Sequence, residues 1–366
     1  MSLPRRALLA DGSVDLKSLT LEELTEWMRD QGKAEARSLQ VYKALWQRAE
    51  TNFGSIQTIS KSVRQHLEKH SRITWLEQSE RLDSADGSRK YLWRCSDGST
   101  IESVLIPDEE RPGLSTPRRT LCVSTQVGCA MACSFCLTGD LGLKRNLTPS
   151  EIANQPLQVQ RDLGPDRPIT NIVLMGMGEP LHNYPNLVIA LKNMLHVNGQ
   201  DFSHRRITVS TVGLVPALRR LANELPVNIA ISLNATTEEQ RRQVMPITER
   251  YSMAELMQTC RELPLPSGKR ITFEYVMMDG FNSEMSDAER LVGLMSDVPA
   301  KVNLIPYNEN PNRDIRRPSD ARVKAFQNHL VSNGVNCSVR VTRGRDISAA
   351  CGQLGKATER MASRLG

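Results

Sequence analysis

The chain has 366 residues, 39% hydrophobic and 24% charged, an ordinary globular mix with room for roughly two domains of about 150 residues, which excludes wholesale disorder. No apolar run approaches the roughly 18 residues of a spanning helix, and the run at residues 7–10 is too short for a secretory signal, so a cytoplasmic protein without membrane contact is expected. Of the +6 net charge, residues 301–366 carry +7 (12 basic, 5 acidic), leaving −1 over the first 300; a basic segment on a near-neutral body points to a polyanionic partner gripped at one place.

Taken in chain order, residues 1 to about 72 read as helical. Thr20 and Glu23 form a capping box ahead of Leu24 and Met28, and Gly32 ends that helix. A second helix carries Leu39, Tyr42, Leu45 and Trp46, and a third follows Ser60 with Val63 and Leu67. The period then changes. Asp86-Gly87 and Asp97-Gly98 are hairpin turns around strands near 91–93 and 100–106, which predicts a small β-meander. Residues 111–119, rich in Pro and Arg, read as a surface loop or linker. Beyond it, strands are predicted at 121–125, 171–175, 206–210, 228–233, 271–277, 302–305 and 338–341. Helix-length segments such as 149–160, 215–224, 238–244 and 320–333 lie between most of them. Repeated βα units imply a parallel sheet with helices outside, and this many units favour a full or partial (β/α) barrel over an open sheet. The predicted class is α/β: a helical accessory domain and β-meander at 1–110, then a barrel core at 111–366.

The eight cysteines are Cys95, Cys122, Cys129, Cys133, Cys136, Cys260, Cys337 and Cys351. In a cytosolic chain they read as metal ligands or catalytic thiols rather than a disulfide framework. Cys129, Cys133 and Cys136 form a C-x3-C-x2-C loop just after the first core strand. Three thiolates on one loop can hold three irons of a four-iron cluster and leave the fourth open to bind substrate or cofactor directly. Structural zinc favours two C-x2-C pairs, and no second pair exists. Unrelated buried thiols rarely crowd so tightly. Cys95, Cys260 and Cys337 have no partner motif and read as packing residues. His182, His196, His204 and His329 are isolated and read as having no metal role.

Other residues carry weaker signals. Gly176-Met-Gly178-Glu179-Pro180 follows a predicted strand. Its glycines let a ligand approach the backbone and its carboxylate can accept from an ammonium group, although a tight strand-to-helix turn explains it equally. Ser210, the segment Ser232-Leu233-Asn234 and Asn308 each lie at or just past the C-terminal end of a predicted parallel strand, the end where barrels place ligands. Singly each is a strand-end cap; together they mark one rim. Cys122 lies early in the first core strand and Cys351 in a small-residue segment after the last one, which reads either as one buried and one incidental thiol or as a mobile loop over a pocket. Glu102 lies in a strand where alternation favours a solvent-facing residue, the other reading being a proton acceptor in a pocket. Arg205-Arg206, the arginines from Arg313 to Arg317 and those from Arg340 to Arg345 are candidate phosphate contacts.

As an ordered set, Ser124-Thr-Gln-Val-Gly-Cys129, the three-cysteine loop, Met175-Gly-Met-Gly-Glu-Pro180, Ser210-Thr-Val-Gly213, Ser232-Leu-Asn-Ala-Thr236, Leu304-Ile-Pro-Tyr-Asn308 and Cys351-Gly-Gln-Leu354 resemble the RlmN family of radical S-adenosylmethionine (SAM) enzymes, from about residue 15 to the C-terminus. The resemblance implies a partial-barrel radical SAM core and a transferase that methylates the C2 carbon of adenine in 23S ribosomal RNA and in transfer RNA next to the anticodon. It implies one 4Fe–4S cluster on Cys129, Cys133 and Cys136. It assigns SAM, as methyl donor and radical source with two consumed per turnover, to Gly178, Glu179, Ser210, Ser232, Leu233, Asn234 and Asn308. It makes Cys351 the methyl-carrying cysteine, Cys122 the thiol that resolves it through a transient disulfide, and Glu102 the proton acceptor. The implied partners are 23S rRNA, tRNA and an electron donor such as flavodoxin with its reductase; the protein is expected to be a monomer whose accessory domain helps hold folded RNA. Departures are Leu143 where an aromatic is expected, Asn234 where many members carry His, and a longer loop at 111–119. Three rivals stand beside this reading: a Cfr-like enzyme methylating adenine C8, a non-catalytic RNA-binding protein with a structural metal, and a radical SAM enzyme acting on a protein or small molecule.

Overall fold

Three helices open the chain in the computed structural model, which describes residues 4–107, 117–266, 268–310 and 313–355. Residues 111–116 of the Pro- and Arg-rich linker, and Lys356, Arg360 and Arg364 of the basic C-terminal segment, lie outside the described residues. Helix α1 (Leu21–Asp30) starts at the expected capping box, with Thr20 accepting from the Glu23 N–H while the Glu23 carboxylate accepts from that of Thr20. Helix α2 spans Ala36–Trp46, and α3 (Lys61–His70) begins at Ser60, which caps it. Their apolar stripes, Leu24, Trp27 and Met28 on α1 and Val41, Tyr42, Leu45 and Trp46 on α2, are buried together.

The meander follows: β1 (Glu77–Asp83), β2 (Arg89–Arg94) and β3 (Thr100–Pro107), antiparallel through the two Asp-Gly turns. Strand β1 escapes sequence reading because it is an edge strand with hardly a buried side chain, so EQSERLD shows no alternation. The barrel units are β4 (Arg119–Cys122), α4 (Pro149–Leu163), β5 (Asn171–Leu174), α5 (Tyr184–Leu195), β6 (Ile207–Thr211), α6 (Val215–Glu224), β7 (Asn228–Ser232), α7 (Glu238–Val244), α8 (Met253–Glu262), β8 (Ile271–Met277), α9 (Met285–Met295), β9 (Ala300–Pro306), α10 (Asp320–Ser332) and β10 (Cys337–Val339). Every expected core strand is present, its ends shifted by a few residues at most.

These ten strands form one sheet in chain order. Strands β4 to β10 pair in parallel, the arc of a partial barrel. Strand β4 pairs antiparallel with β3 on its other side, so the meander continues the barrel sheet. The register aligns Lys90, Val104, Cys122 and Val173 in one row across β2, β3, β4 and β5. Because side chains directly opposite share a face, this row carries the inner face of the barrel out onto the meander.

The helical unit is mounted on barrel helices α4 and α5 by buried polar contacts. Lys17, fully buried, places its ammonium 3.2 Å from the Trp75 ring centroid and donates to Asn154 Oδ1 at 2.9 Å. Burial holds that lysine well below its ordinary pKa. The Tyr42 hydroxyl donates to Asn193 Oδ1 at 2.8 Å. One apolar core runs without a break from α1 and α2 into the barrel. Among the described residues, no helix is long and apolar enough to cross a membrane.

The cap makes a direct stability prediction. Thr20→Ala should destabilise the helical unit by about 1 kcal/mol, read as a lower urea midpoint for the tryptophan fluorescence change; an unchanged midpoint would contradict the capping role.

Candidate active site

Past Cys122 the chain leaves the sheet for a short antiparallel ladder, Gln126–Gly128 against Leu143–Asn146, and the cysteine loop is what the ladder encloses. Leu143 sits opposite Gly128 and closes the stem of this loop. Gly128 has φ +76°, and a Cβ there would lie 1.8 Å from the Gly142 carbonyl oxygen, so no other residue fits. Within the loop the Cys129 N–H donates to Gly142 O (3.0 Å) and the Cys136 N–H to Cys133 O (3.1 Å). Arg313 fastens the loop from outside, through Ser134 O, Cys136 O and the Asp140 carboxylate.

Cys129, Cys133 and Cys136 line one cavity. Burial pushes the Cys129 thiol up to about 12; burial and the neighbouring thiols push Cys133 higher, and burial raises Cys136. Thiols so raised become ligands only where a bound cation offsets the cost of the thiolates. Among the described residues, no three His, Cys, Asp or Glu side chains converge closely enough for a single ion. A four-iron cluster takes one cysteine per iron, so thiols set around a shared cavity fit a cluster better than a tetrahedral zinc.

Facing the cysteines is the loop after β5. A Cβ on Gly178 (φ +99°) would lie 2.5 Å from Gln126 Cβ, so this backbone packs where no side chain can follow. Five bonds stitch it to the β4 exit: Gly176 N–H to Val123 O (3.1 Å), Thr125 and Gln126 N–H to Met177 O (2.8 and 3.2 Å), Met177 N–H to Ser124 Oγ (2.8 Å) and Glu179 N–H to Gln126 Oε1 (2.8 Å). Gln155, on α4, holds Ser124 from behind through both its backbone groups. The Glu179 carboxylate, 3% exposed, accepts from the N–H groups of Leu181 (3.0 Å) and Val212 (2.9 Å). Burial nonetheless pushes its pKa up to about 7, so a cation entering the cavity would be stabilised by the carboxylate it ionises.

Ser210, Ser232, Asn234 and Asn308 complete the rim and line the same cavity, as do Gly178 and Glu179. Leu233 does not; its side chain is in the core and its N–H donates to Glu274 O (3.0 Å). Asn234, at φ +58°, has its Oδ1 committed to the Val276 N–H (2.9 Å) and its amide against Met245 Sδ. Asn308 donates to Cys351 O (3.0 Å) and accepts from the Thr342 hydroxyl (2.9 Å).

Cys351 is exposed and lines this cavity and a second one, whose wall includes Cys122, Val104 and Val173. Arg340 also lines both, and its guanidinium interacts electrostatically with both thiols and with Glu274, 3.8 Å away. Burial pushes the Cys122 thiol up to about 12, and Arg340 opposes that rise.

Several expectations need correction. Alternation favours a solvent-facing Glu102, but the residue is fully buried because segment 344–355 crosses the face it occupies. It lines neither cavity. Arg313 and Arg340, read as phosphate contacts, turn inward to the cysteine loop and to Glu274. Sequence reading missed Glu274, for which a carboxylate amid the apolar residues of ITFEYVM is the available signal. It also missed Arg241, fully buried on the charged helix α7, which donates to Val212 O (2.6 Å) and Ser232 O (3.4 Å) and so ties two rim strands together. Nothing in EEQRRQV distinguishes that arginine from its solvated neighbours.

Comparison with known proteins agrees with this geometry. Residues 123–292 match the radical SAM superfamily, and residues 14–73 match the ribosomal RNA large subunit methyltransferase N-terminal domain. The chain is 48% identical over 344 residues to the dual-specificity RNA methyltransferase RlmN of Geobacter sulfurreducens, covering 94% of this chain and 92% of that one. It is 50% identical over 341 residues to the protein of the same name from Pelobacter propionicus, covering 93% and 95%. A crystal structure of a radical SAM methyltransferase from Sphaerobacter thermophilus superposes with a TM-score of 0.86 at 40% identity, covering 93% of this chain and 99% of that one.

If the three thiols hold one cluster, anaerobic reconstitution with iron and sulfide should give a brown protein, and Cys133→Ala should lose most of the chromophore. Full iron content in Cys133→Ala would sink the assignment.

Proposed function

The chain belongs to the RlmN family of radical SAM enzymes, and on that premise we propose that it is an RNA methyltransferase acting on the C2 carbon of adenosine in 23S rRNA and tRNA, with Cys351 carrying the methyl group and Cys122 releasing the product. The observation that carries this reading is the position of Cys351, which lines both the cavity of Cys129, Cys133, Cys136 and Glu179 and the cavity of Cys122. A thiol at such a junction can be loaded on one side and resolved on the other.

Adenine C2 is electron-poor and has no nucleophilicity to draw a methyl group from SAM directly, so the chemistry has to be radical. Cys129, Cys133 and Cys136 would hold a four-iron cluster, whose chemistry would be to supply the electron that turns SAM into a carbon radical. Around it, Glu179 and the Gly178 backbone would receive the methionine ammonium, with Ser210, Ser232, Asn234 and Asn308 along the rest of the ligand and Leu233 behind them in the core. Cys351 Sγ accepts a methyl group from a first SAM. Once a hydrogen atom is removed from that methyl, its carbon bonds to C2, and the base gives up the C2 proton and one electron, which would return to the same one-electron centre at Cys129, Cys133 and Cys136. Cys122 Sγ then attacks Cys351 Sγ. The carbon–sulfur pair goes to carbon, which takes a proton, and methyladenine leaves behind a Cys122–Cys351 disulfide that an external dithiol or electron donor reopens. Arg340 supports this step by favouring the thiolate of Cys122 against the burial that opposes it.

The remaining assignments belong to the same proposal. They are an accessory unit within 1–110 that helps hold folded RNA, a flavodoxin-type electron donor, a monomeric enzyme and two SAM per turnover.

The single-thiol variants should fail differently. Cys351→Ala has no acceptor and should transfer no carbon. Cys122→Ala should load, react and then stall with RNA joined to Cys351. On a denaturing gel with labelled RNA, a covalent band from Cys122→Ala that disappears in the double variant is the expected result. Normal turnover by both single variants would refute the two-thiol scheme.

A further inference from the structure

Cys351 stands on a segment without helix or strand that runs from β10 to Gly355, and both ends of this strap are fastened. The barrel holds it by Leu137 N–H to Gly352 O (2.9 Å), Thr138 hydroxyl to Leu354 O (2.9 Å) and Asn308 to Cys351 O (3.0 Å). The meander holds it independently. At the β1–β2 turn, Asp86 accepts from the Gly344 N–H (2.8 Å), and the Asp346 carboxylate accepts from the Ser84 hydroxyl (2.6 Å) and the Ala85 N–H (3.1 Å). Inside, Lys90 Nζ donates to Ser348 O (3.2 Å) and Glu102 Oε1 accepts from the Gly355 N–H (3.1 Å).

Lys90 and Glu102 are 3.5 Å apart and essentially without solvent exposure. They are diagonal neighbours on one face: Lys90 lies opposite Val104 and Glu102 opposite Leu92, while Val104 lies opposite Cys122. The Lys90 backbone therefore stands two strands, roughly 10 Å, from Cys122 in the same row. A buried ion pair is a poor filler, since an apolar pair of equal volume is often as stable or more so. This pair does something an apolar pair cannot. Each member has a second partner on the strap backbone, one before Cys351 and one after it.

We propose that Lys90 and Glu102 are positioning residues for Cys351, forming a buried clasp on the meander that grips the strap at Ser348 and Gly355 and so sets the Cys351 thiol against Cys122. The inference rests on the two-thiol reading. It makes Glu102 act on the strap backbone and not on the substrate, and it gives the meander a part in the reaction.

The test uses the full-length reconstituted protein, in which the cluster engages the thiols of Cys129, Cys133 and Cys136, and an azodicarboxamide oxidant, which takes up two electrons and two protons as Cys122 and Cys351 join. Disulfide formation is followed by peptide mass spectrometry, and hydrogen exchange of segment 344–355 is followed in parallel. Losing a hydrogen bond to a charged group corresponds to about a tenfold change, so folded Lys90→Met should form the disulfide about tenfold more slowly and exchange the strap amides about tenfold faster. Lys90→Arg, still a donor, should restore both rates. Glu102→Gln still accepts from Gly355 and should lose less than Glu102→Ala. Asp86→Ala, on an exposed turn, gives a variant that leaves the core intact and should free the Gly344 end in the same way. Wild-type exchange and disulfide rates in Lys90→Met, or in Glu102→Ala if the first does not fold, would overturn the clasp. Faster strap exchange in the variants, with no disulfide even in the unaltered protein, would support the clasp and refute the two-thiol reading. Loss of RNA methylation in Glu102→Ala at unchanged disulfide and exchange rates would overturn the positioning role in favour of a proton acceptor.

Discussion

Strand β4 pairs in parallel with β5 and antiparallel with β3, and the site depends on that change of direction within one sheet. It makes a single inner face out of barrel and meander. Cys122, at the end of β4, stands where the two meet, with Val173 beside it on the barrel side and Val104 on the meander side. Exit from β4 leads at once into the ladder that carries the cysteine loop. The strap bearing Cys351 returns across the same face at the other end of the chain. Strand pairing thereby brings the thiol at position 122 and the loop of 129–136 to two adjoining cavities, and the hydrogen-bonded strap adds the thiol at 351.

Electrostatics then give these cavities a preference. Burial pushes the buried acids on the walls toward their neutral forms: Glu179 to about 7, Cys129 and Cys122 to about 12, and Glu274 upward. The fold sustains this cost through contacts that never touch the cavity, such as Gln155 behind Ser124 and Arg241 beneath Val212 and Ser232. A cavity of buried, raised acids is stabilised by cations, and iron, an ammonium or a sulfonium would each be welcome there. Polar groups fixed in advance also need no rearrangement when charge changes, which is how a site lowers barriers without moving.

Sequence reading recovered what leaves a local imprint. Helix starts at Thr20 and Ser60, hairpins at Asp86-Gly87 and Asp97-Gly98, and the parallel strands all show in composition and period. So does the cysteine loop, because its spacing is short. What it could not recover depends on which surface covers which. Glu102 alternates like an exposed residue, and only the strap, some 250 residues away in sequence, buries it. Arg340 belongs to a run of basic residues that reads as a solvated or RNA-facing surface, yet Glu274 and the two thiols draw it inward. Asn308 sits at a strand end as expected, but its amide is spent on the Cys351 carbonyl, a contact no motif reveals.

The central claim is that carbon reaches RNA by way of Cys351. The most direct measurement is mass spectrometry of the Cys351 peptide and of the RNA after incubation of the reconstituted enzyme with SAM carrying a deuterated methyl group. The account predicts a deuterated methyl on Cys351 before RNA is added, and its carbon at adenine C2 afterwards, with one deuterium exchanged for hydrogen. Methylated RNA that retains all the deuterium, from an enzyme whose Cys351 is never modified, would contradict it.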